Sequence, residues 1–367
     1  MKVVIQVPCL NEEATLPLVF ARIPRSIPGV SSIEFLIIDD GSTDGTVDIA
    51  RSLGVQHFVY HTRNMGLGQS FHDGALRALE MGADILVNTD GDNQYPSERI
   101  ADLVQPIIDG EADIVVGDRQ THTIAHFSPL KKSLQRLGSD VVNLAAGTDI
   151  PDAASGFRAY SREALLKLNT ITRFSYCTET IIQAGFKRLA ISSVPIETNP
   201  KTRESRLFSN IAEHIMKSGA SILRAYTMYR PLRLFAGLGS LVFLMGSVPF
   251  LRFAALTWFT GNGGGIGRHV QSLVVGSVLV VASVILFALG IIAELVRINR
   301  VLIEDLLEQQ KRHRYRSTPL ATYPNEGASP LTSAEALVDV GLTAAPAIDG
   351  GRSLLAVMSA RSERLAT

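Results

Sequence analysis

The sequence predicts a doubly wound α/β domain with a mostly parallel sheet, followed by a C-terminal region of two transmembrane helices. Three observations predict it. In the first half, short apolar runs alternate with helix-forming segments at the spacing of βαβ units. Three of those runs end in acidic or amide clusters. In the second half, Leu234 to Leu251 and Val270 to Ala293 are largely apolar and uncharged, and a bilayer crossing needs about 20 such residues.

Taken in order, Val3 to Val7 reads as a buried strand and runs into Pro8-Cys9-Leu10-Asn11-Glu12-Glu13. Helix formers with apolar residues at helical spacing fill Glu13 to Ile23. Phe35 to Ile38 is a second strand, ending at Asp39-Asp40-Gly41-Ser42-Thr43-Asp44-Gly45. Thr43 or Asp44 can cap a helix running toward Leu53. Gln56 to Tyr60 forms a third strand, and Gly68 to Met81 a helix with Phe71, Ala75, Ala78 and Leu79 on one face. Ile85 to Asn88, Ile114 to Gly117 and Ala190 to Ile196 supply further strands. Ligands of such sheets bind beyond the carboxyl ends of the strands. Asn11/Glu12, Asp39/Asp40 and Asp90/Asp92 are therefore expected to converge on one edge.

The stretch Thr89-Asp90-Gly91-Asp92-Asn93-Gln94 carries the most chemistry. Alternate residues of a strand face the same way, so Asp-x-Asp puts two carboxylates on one side of the backbone. Hard oxygen ligands suit Mg²⁺ or Mn²⁺, which keep water or phosphate oxygens as remaining ligands. The alternative is a solvated turn, since Asp, Gly and Asn favour turns. A dinucleotide-binding domain fits poorly: no Gly-x-Gly-x-x-Gly follows the first strand. Asn64-Met65-Gly66-Leu67-Gly68-Gln69 comes after the third strand and lacks the Lys-Ser/Thr of a P-loop. It reads either as a loop where backbone approaches a donor or as a helix-initiating turn.

Pro8-x-x-Asn11-Glu12, Asp39-Asp40-Gly41-Ser42, Arg63-Asn64-x-Gly66, Asp90-x-Asp92-x-Gln94 and Ser155-Gly156-Phe157-Arg158 occur in this order. Together they resemble the inverting glycosyltransferases of family 2, which have the GT-A fold, and among them the polyprenyl-phosphate sugar transferases. The resemblance runs from Val3 to about Leu307. It implies that Pro8, Asn11, Glu12, Asp39, Asp40, Asn64, Gly66, Asp90 and Gly91 bind a nucleotide-sugar. It implies Asp90, Asp92 and Gln94 as holders of a divalent metal, and Asp92, Arg158 and Arg203 as catalytic. A basic loop in relatives closes over donor and acceptor phosphates, which makes Arg203, Ser205 and Arg206 the expected acceptor-phosphate residues. Arg suits that role because it stays charged and grips phosphate oxygens bidentately; the alternative is a basic loop touching lipid headgroups. Leu10 stands where the family often has Tyr, which leaves the donor base open. Glu179 would be a base only for a hydroxyl acceptor, because a phosphate is already ionised; otherwise it positions a neighbour or caps Ile181-Ile182.

The expected organisation is a catalytic domain over 1–206, an amphipathic interfacial helix over 207–233 and spans over 234–256 and 270–293. A short loop at 257–269 joins the spans. A polar helix at 294–316 and a disordered tail at 317–367 complete the chain. Ile211, Ile215, Ser218, Ile222, Tyr226 and Tyr229 recur at helical spacing and read as lying in the headgroup zone, or else as a core helix. Arg252 and Arg268 flank the connecting loop, whereas Arg224, Arg230, Arg233, Arg297, Arg300, Lys311, Arg312, Arg314 and Arg316 lie at the other ends. The positive-inside rule then places the catalytic domain in the cytoplasm, at the inner or plasma membrane.

Lys and Arg total 35 against 35 Asp and Glu, so net charge offers no nucleic-acid partner. Cys9 and Cys177 show no metal or redox spacing, and no signal peptide is expected ahead of the first strand. The expected reaction is metal-dependent transfer of a sugar from a nucleotide-sugar to a polyprenyl phosphate at the cytoplasmic leaflet, with Mg²⁺ or Mn²⁺. Transfer to a diacylglycerol or another lipid hydroxyl, and a non-catalytic nucleotide-sugar-binding scaffold, are the alternatives. A processive synthase is disfavoured because no Gln-x-x-Arg-Trp occurs. Donor identity, homo-oligomerisation and the tail's purpose are not legible.

Overall fold

The computed structural model describes residues 1–121, 129–170, 176–200, 219–220, 223–224, 226–260 and 270–315. The expected phosphate residues Arg203, Ser205 and Arg206, most of the interfacial segment, most of the 257–269 loop and the tail lie outside the described residues.

The α/β domain is built on β1 (Lys2–Cys9), β2 (Ser32–Asp39), β3 (His57–Tyr60), β4 (Ile85–Asn88), β5 (Ile114–Asp118), β6 (Arg158–Ser161) and β7 (Ile191–Pro195). They form one seven-stranded sheet in the order β3-β2-β1-β4-β6-β5-β7. β6 runs antiparallel to β4 and β5, and every other pairing is parallel. Helices α1 (Leu16–Arg22), α2 (Thr46–Ser52) and α4 (Ile100–Ile108) cover one face. On the other lie α3 (Leu67–Glu80), α5 (Pro129–Ala146), α6 (Arg162–Lys167) and α7 (Tyr176–Phe186).

The strands divide their side chains by simple alternation. Val3, Ile5, Val7, Ile37, Ile85, Val87 and Val115 pack against Leu16, Phe20, Leu103 and Val104. Val4, Leu36, Ile38, Leu86, Ile114 and Val116 pack against Phe71, Ala78, Val142, Leu165 and Ile181. Both faces are covered, which is why the strands read as unbroken apolar runs.

The chain winds outward from β1 to β2 and β3, then returns across β1 to β4. The strand order therefore reverses between β1 and β4, where ligands of open α/β sheets bind. Because β6 is reversed, its amino end also lies at the edge formed by the carboxyl ends of the others. Seven segments consequently reach that edge: those after β1, β2, β3, β4, β5 and β7, and the one before β6.

Two long helices follow, α8 (Pro231–Thr260) and α9 (Val270–Arg314). Both are long and apolar enough to cross a membrane. They pack closely where glycines face each other: a Cβ on Gly276 would lie 2.8 Å from the Gly246 carbonyl oxygen, and one on Gly246 2.9 Å from Leu279 Cβ. α9 has 45 residues, about 67 Å at 1.5 Å per residue, so the expected second span and polar helix are one uninterrupted element. Its polar end docks on the catalytic domain. Lys311 Nζ donates to the Leu168 carbonyl at 2.7 Å, Arg312 pairs with Glu163, and Lys187 meets Glu304 at 3.5 Å.

Candidate active site

The segment after β1 is fastened to the segment after β2. Asn11 takes a left-handed φ of 56°, its N–H donates to Ser42 Oγ at 3.0 Å and its Oδ1 accepts the Thr43 N–H at 2.7 Å. Glu12 is buried; its N–H donates to Thr46 Oγ1 at 2.8 Å and its Oε2 accepts the Thr15 hydroxyl at 2.8 Å. Asp39, at the carboxyl end of β2, gives one oxygen to the Ser42 N–H at 3.0 Å. Pro8 sits within β1, in register with Ile38 of β2.

Asp40 has a different environment from its neighbour. Its Oδ1 accepts the Met65 N–H at 2.8 Å, its Oδ2 accepts the Gly66 N–H at 2.9 Å, and Oδ1 lies 2.7 Å from His61 Nδ1. Both oxygens are thus turned to the loop between β3 and α3. Asp40 therefore anchors that loop. Asn64 and Arg63 are exposed on the loop, and Gly66 starts α3 with a φ of 91°.

The segment after β4 lies against that frame. A Cβ on Gly91 would meet Cys9 Sγ and Glu12 Cγ, each at 3.2 Å, so the turn between the two aspartates packs on the β1 loop. Asp92 Oδ1 accepts the Gln94 N–H at 3.1 Å. Asp90 Oδ1 is buried with no hydrogen-bond partner. Burial first, and then the Asp92 carboxylate, push Asp90 up to about 7, while Arg119 opposes the shift. The Cys9 thiol registers the same field: burial, then Glu12, Asp39, Asp90 and Asp44, push it well up. Acids from three strand ends therefore act on one point, with a carboxylate oxygen there lacking any donor.

Gln94 belongs to a loop braced from β7. Asn199 N–H donates to the Gln94 carbonyl at 2.9 Å, and Asn199 Nδ2 donates to the carbonyls of Asn93 and Tyr95 at 3.0 and 3.1 Å. On the far side, the Gly156 N–H donates to the Tyr95 hydroxyl at 2.9 Å, and Tyr95 stacks on Phe157 with centroids 5.3 Å apart. Among the described residues no group of three or more His, Cys, Asp and Glu converges as a metal site.

The family model for glycosyl transferase family 2 matches residues 4–168. The UDP-N-acetylglucosamine–dolichyl-phosphate N-acetylglucosaminyltransferase of Methanococcus voltae is 31% identical over 213 residues, covering 52% of this chain and 83% of that protein. This chain belongs to glycosyl transferase family 2. The polyprenol monophosphomannose synthase of Mycolicibacterium smegmatis is 30% identical over 227 residues, covering 58% of this chain and 83% of that one. Among solved structures, a glucosyl-3-phosphoglycerate synthase from Mycobacterium tuberculosis is similar with a TM-score of 0.48 and 23% identity, over 61% of this chain and 79% of that chain. The chain is a glycosyltransferase, and its mostly parallel sheet is the one expected of the GT-A class.

Two arginines of this family 2 enzyme have buried acceptors near the site. Arg158, expected against phosphate, is fully buried at the start of β6. Its guanidinium donates to the carbonyls of Ser155 (2.7 Å), Ala153 (2.8 Å) and Cys177 (2.8 Å), and to Thr180 Oγ1 (2.9 Å). It ties the 153–156 turn to α7. Arg119, which the sequence reading passed over, lies one residue beyond β5. It is near enough to Asp90 to lower that group's proton affinity, and it grips Asp152 bidentately at 2.6 and 2.9 Å. The signal that could have found it is positional: Asp118-Arg119-Gln120 ends another strand at the same edge. Glu179 lies buried in α7, with its Oε1 accepting from Gln183 Nε2 at 3.3 Å.

Proposed function

We propose that the protein transfers a sugar, with inversion, from a nucleotide-sugar to a polyprenyl monophosphate at the cytoplasmic leaflet. The observation that carries the reading is the buried Asp90 oxygen without a donor, beside Asp92, at the sheet's switch point. The two relatives described above are by name transferases to dolichyl phosphate and a polyprenol monophosphomannose synthase, and each is covered over 83% of its length.

The donor set fits Mg²⁺ or Mn²⁺ in kind: hard oxygens, two of them from carboxylates, for ions that keep phosphate or water oxygens as other ligands. Asp90, Asp92 and Gln94 would hold the ion, which when bound neutralises charge on the departing diphosphate. The remaining chemistry is positional. Asp39 and Glu12, on the loops after β2 and β1, face the nucleoside end of the donor, and the Asn64–Gly66 loop closes beside them. Asn199 fastens the segment after β7 to the Asn93–Tyr95 loop. The basic residues Arg203, Ser205 and Arg206, which follow it in sequence, would receive the acceptor phosphate. An acceptor phosphate oxygen forms the new bond to the anomeric carbon as the bond to the donor diphosphate breaks. No general base is required, because the attacking oxygen is already anionic. Orientation follows from charge: the basic ends of α8 and α9 are those nearest the catalytic domain, with Arg230 and Arg233 at one and Lys311, Arg312 and Arg314 at the other.

The test is transfer from a panel of nucleotide-sugars, with Mg²⁺ or Mn²⁺, in membranes supplied with polyprenyl phosphate, products being identified by mass. A metal-dependent glycosyl polyprenyl phosphate, lost in Asp92→Asn, is the expected result. A glycosyl diacylglycerol, or a product formed equally by Asp92→Asn, would overturn the reading.

A further inference from the structure

His61 stands outside every motif that identifies the family, yet it occupies a junction. Its Nδ1 lies 2.7 Å from Asp40 Oδ1 and its Nε2 3.1 Å from Asp73 Oδ2, with the side chain 8% exposed. The His61 N–H also donates to the Asp39 carbonyl at 2.9 Å. Asp73, on the second turn of α3, accepts a second bond from Gln69 Nε2 at 2.9 Å. The imidazole therefore spans from the carboxylate that orders the β3–α3 loop to the helix that the loop begins.

The geometry points to His61 and Asp73 as positioning residues for the donor: through Asp40 they fix the Arg63–Gly66 loop. This rests on the proposed function, in which that loop flanks the nucleotide. Asp40 reaches the loop by two backbone N–H groups, Met65 and Gly66. The loop backbone presses on the turn after β2, where a Cβ on Gly41 would lie 2.9 Å from the Arg63 carbonyl carbon. What the loop presents outward is Arg63 and Asn64, both exposed. Without the ring, Asp40 and Asp73 face each other with nothing between them, and the buried Asp40 carboxylate loses one of its donors. A carboxylate deprived of a donor turns to reclaim water, and the Met65 and Gly66 amides move with it. The loss should fall on donor binding, because the Asp90–Gln94 loop is braced separately by Asn199.

The experiment uses the full chain in detergent. Amide hydrogen exchange at Met65 and Gly66 is measured first, without any substrate, for wild type, His61→Ala, His61→Asn and Asp73→Asn. Exchange is expected to quicken in His61→Ala and to be restored in part by His61→Asn, whose amide can still reach Asp40. Steady-state transfer then separates the parameters. His61→Ala should raise the KM for nucleotide-sugar about ten-fold, the scale of one hydrogen bond, with kcat and acceptor KM within about two-fold. Wild-type exchange rates in His61→Ala would overturn the inference. So would faster exchange with an unchanged donor KM, which would make the bridge merely structural. A wild-type enzyme that transfers nothing would overturn the proposed function instead, and the exchange data would still show whether His61 holds the loop.

Discussion

Replacing Arg158 by Met distinguishes a residue that holds the fold from one that handles phosphate. The guanidinium supplies four hydrogen bonds within the core, three of them to backbone carbonyls of Ser155, Ala153 and Cys177. Met fills much of the volume but donates nothing. The Ser155 and Ala153 carbonyls would then be buried without a donor, each costing about 1–3 kcal/mol, while the Cys177 carbonyl keeps the Thr180 hydroxyl at 3.1 Å. Relaxation, and the relief of no longer burying a cation, pull the total toward the lower end. Loss of one partner from a buried charged network costs about 3–5 kcal/mol. For a domain of roughly 200 residues this lowers the melting temperature by about 6–20 °C, at 2–4 °C per kcal/mol. The protein carries its own reporter, because Cys9 and Cys177 are both buried in the catalytic domain. A thiol-reactive dye becomes fluorescent as that domain opens, independently of the membrane helices. Arg158→Lys should fall between, since one ammonium cannot reach all four acceptors. The reasoning would be refuted by an Arg158→Met enzyme that melts within about 2 °C of wild type while transfer drops a hundred-fold. That outcome would return Arg158 to the phosphates.

Two further predictions concern the membrane hairpin and its junction with the catalytic domain. Burial, and then Lys187, bring Lys311 down to about 8; the unfolded chain, near 10.4, then binds more protons between those values, so this group's contribution to stability rises from about pH 8 to about pH 10. In Lys311→Met that rise should vanish from a melting-versus-pH series, and parallel curves for the two proteins would exclude it. Gly276→Val must displace the Gly246 carbonyl, 2.8 Å from the new Cβ, and should destabilise the hairpin by about 1–3 kcal/mol. Gly237→Val, which meets nothing within 4 Å, should melt as wild type; equal behaviour of the two variants would remove the close helix contact.

The sheet was legible where burial was complete. Ile85–Asn88 and Ile114–Gly117 read as strands because strands covered on both faces carry continuous apolar runs. β6 was not legible for the same reason reversed. Arg158-Ala159-Tyr160-Ser161 contains a cation and two hydroxyls, and nothing local announces that the cation is solvated by carbonyls from the preceding turn and from α7. The same contacts show what Arg158 holds together in space. An arginine beside a Ser-Gly turn has the same composition whether it faces phosphate or core, and only the direction of the strand decides.

The adjacent acids at the end of β2 pose this problem at its smallest scale. Asp39 and Asp40 are chemically identical, and strand alternation turns consecutive side chains to opposite faces, so only one can point each way. Asp40 is satisfied by two amides and an imidazole and orders a loop; Asp39 retains the sheet edge beside Glu12 and Asp90. Sequence shows that acids cluster at strand ends, but not which member of a pair is consumed by the fold. Arg119 follows the same logic in the opposite sense, being unremarkable in sequence and central once β5 is known to share the edge. The reversal of β6 brings the Ser155–Phe157 turn to that edge as well. It therefore turns Tyr95, Gly156 and Arg158 into a brace for the acidic loop, at the cost of hiding the one cation that the motif seemed to offer the substrate.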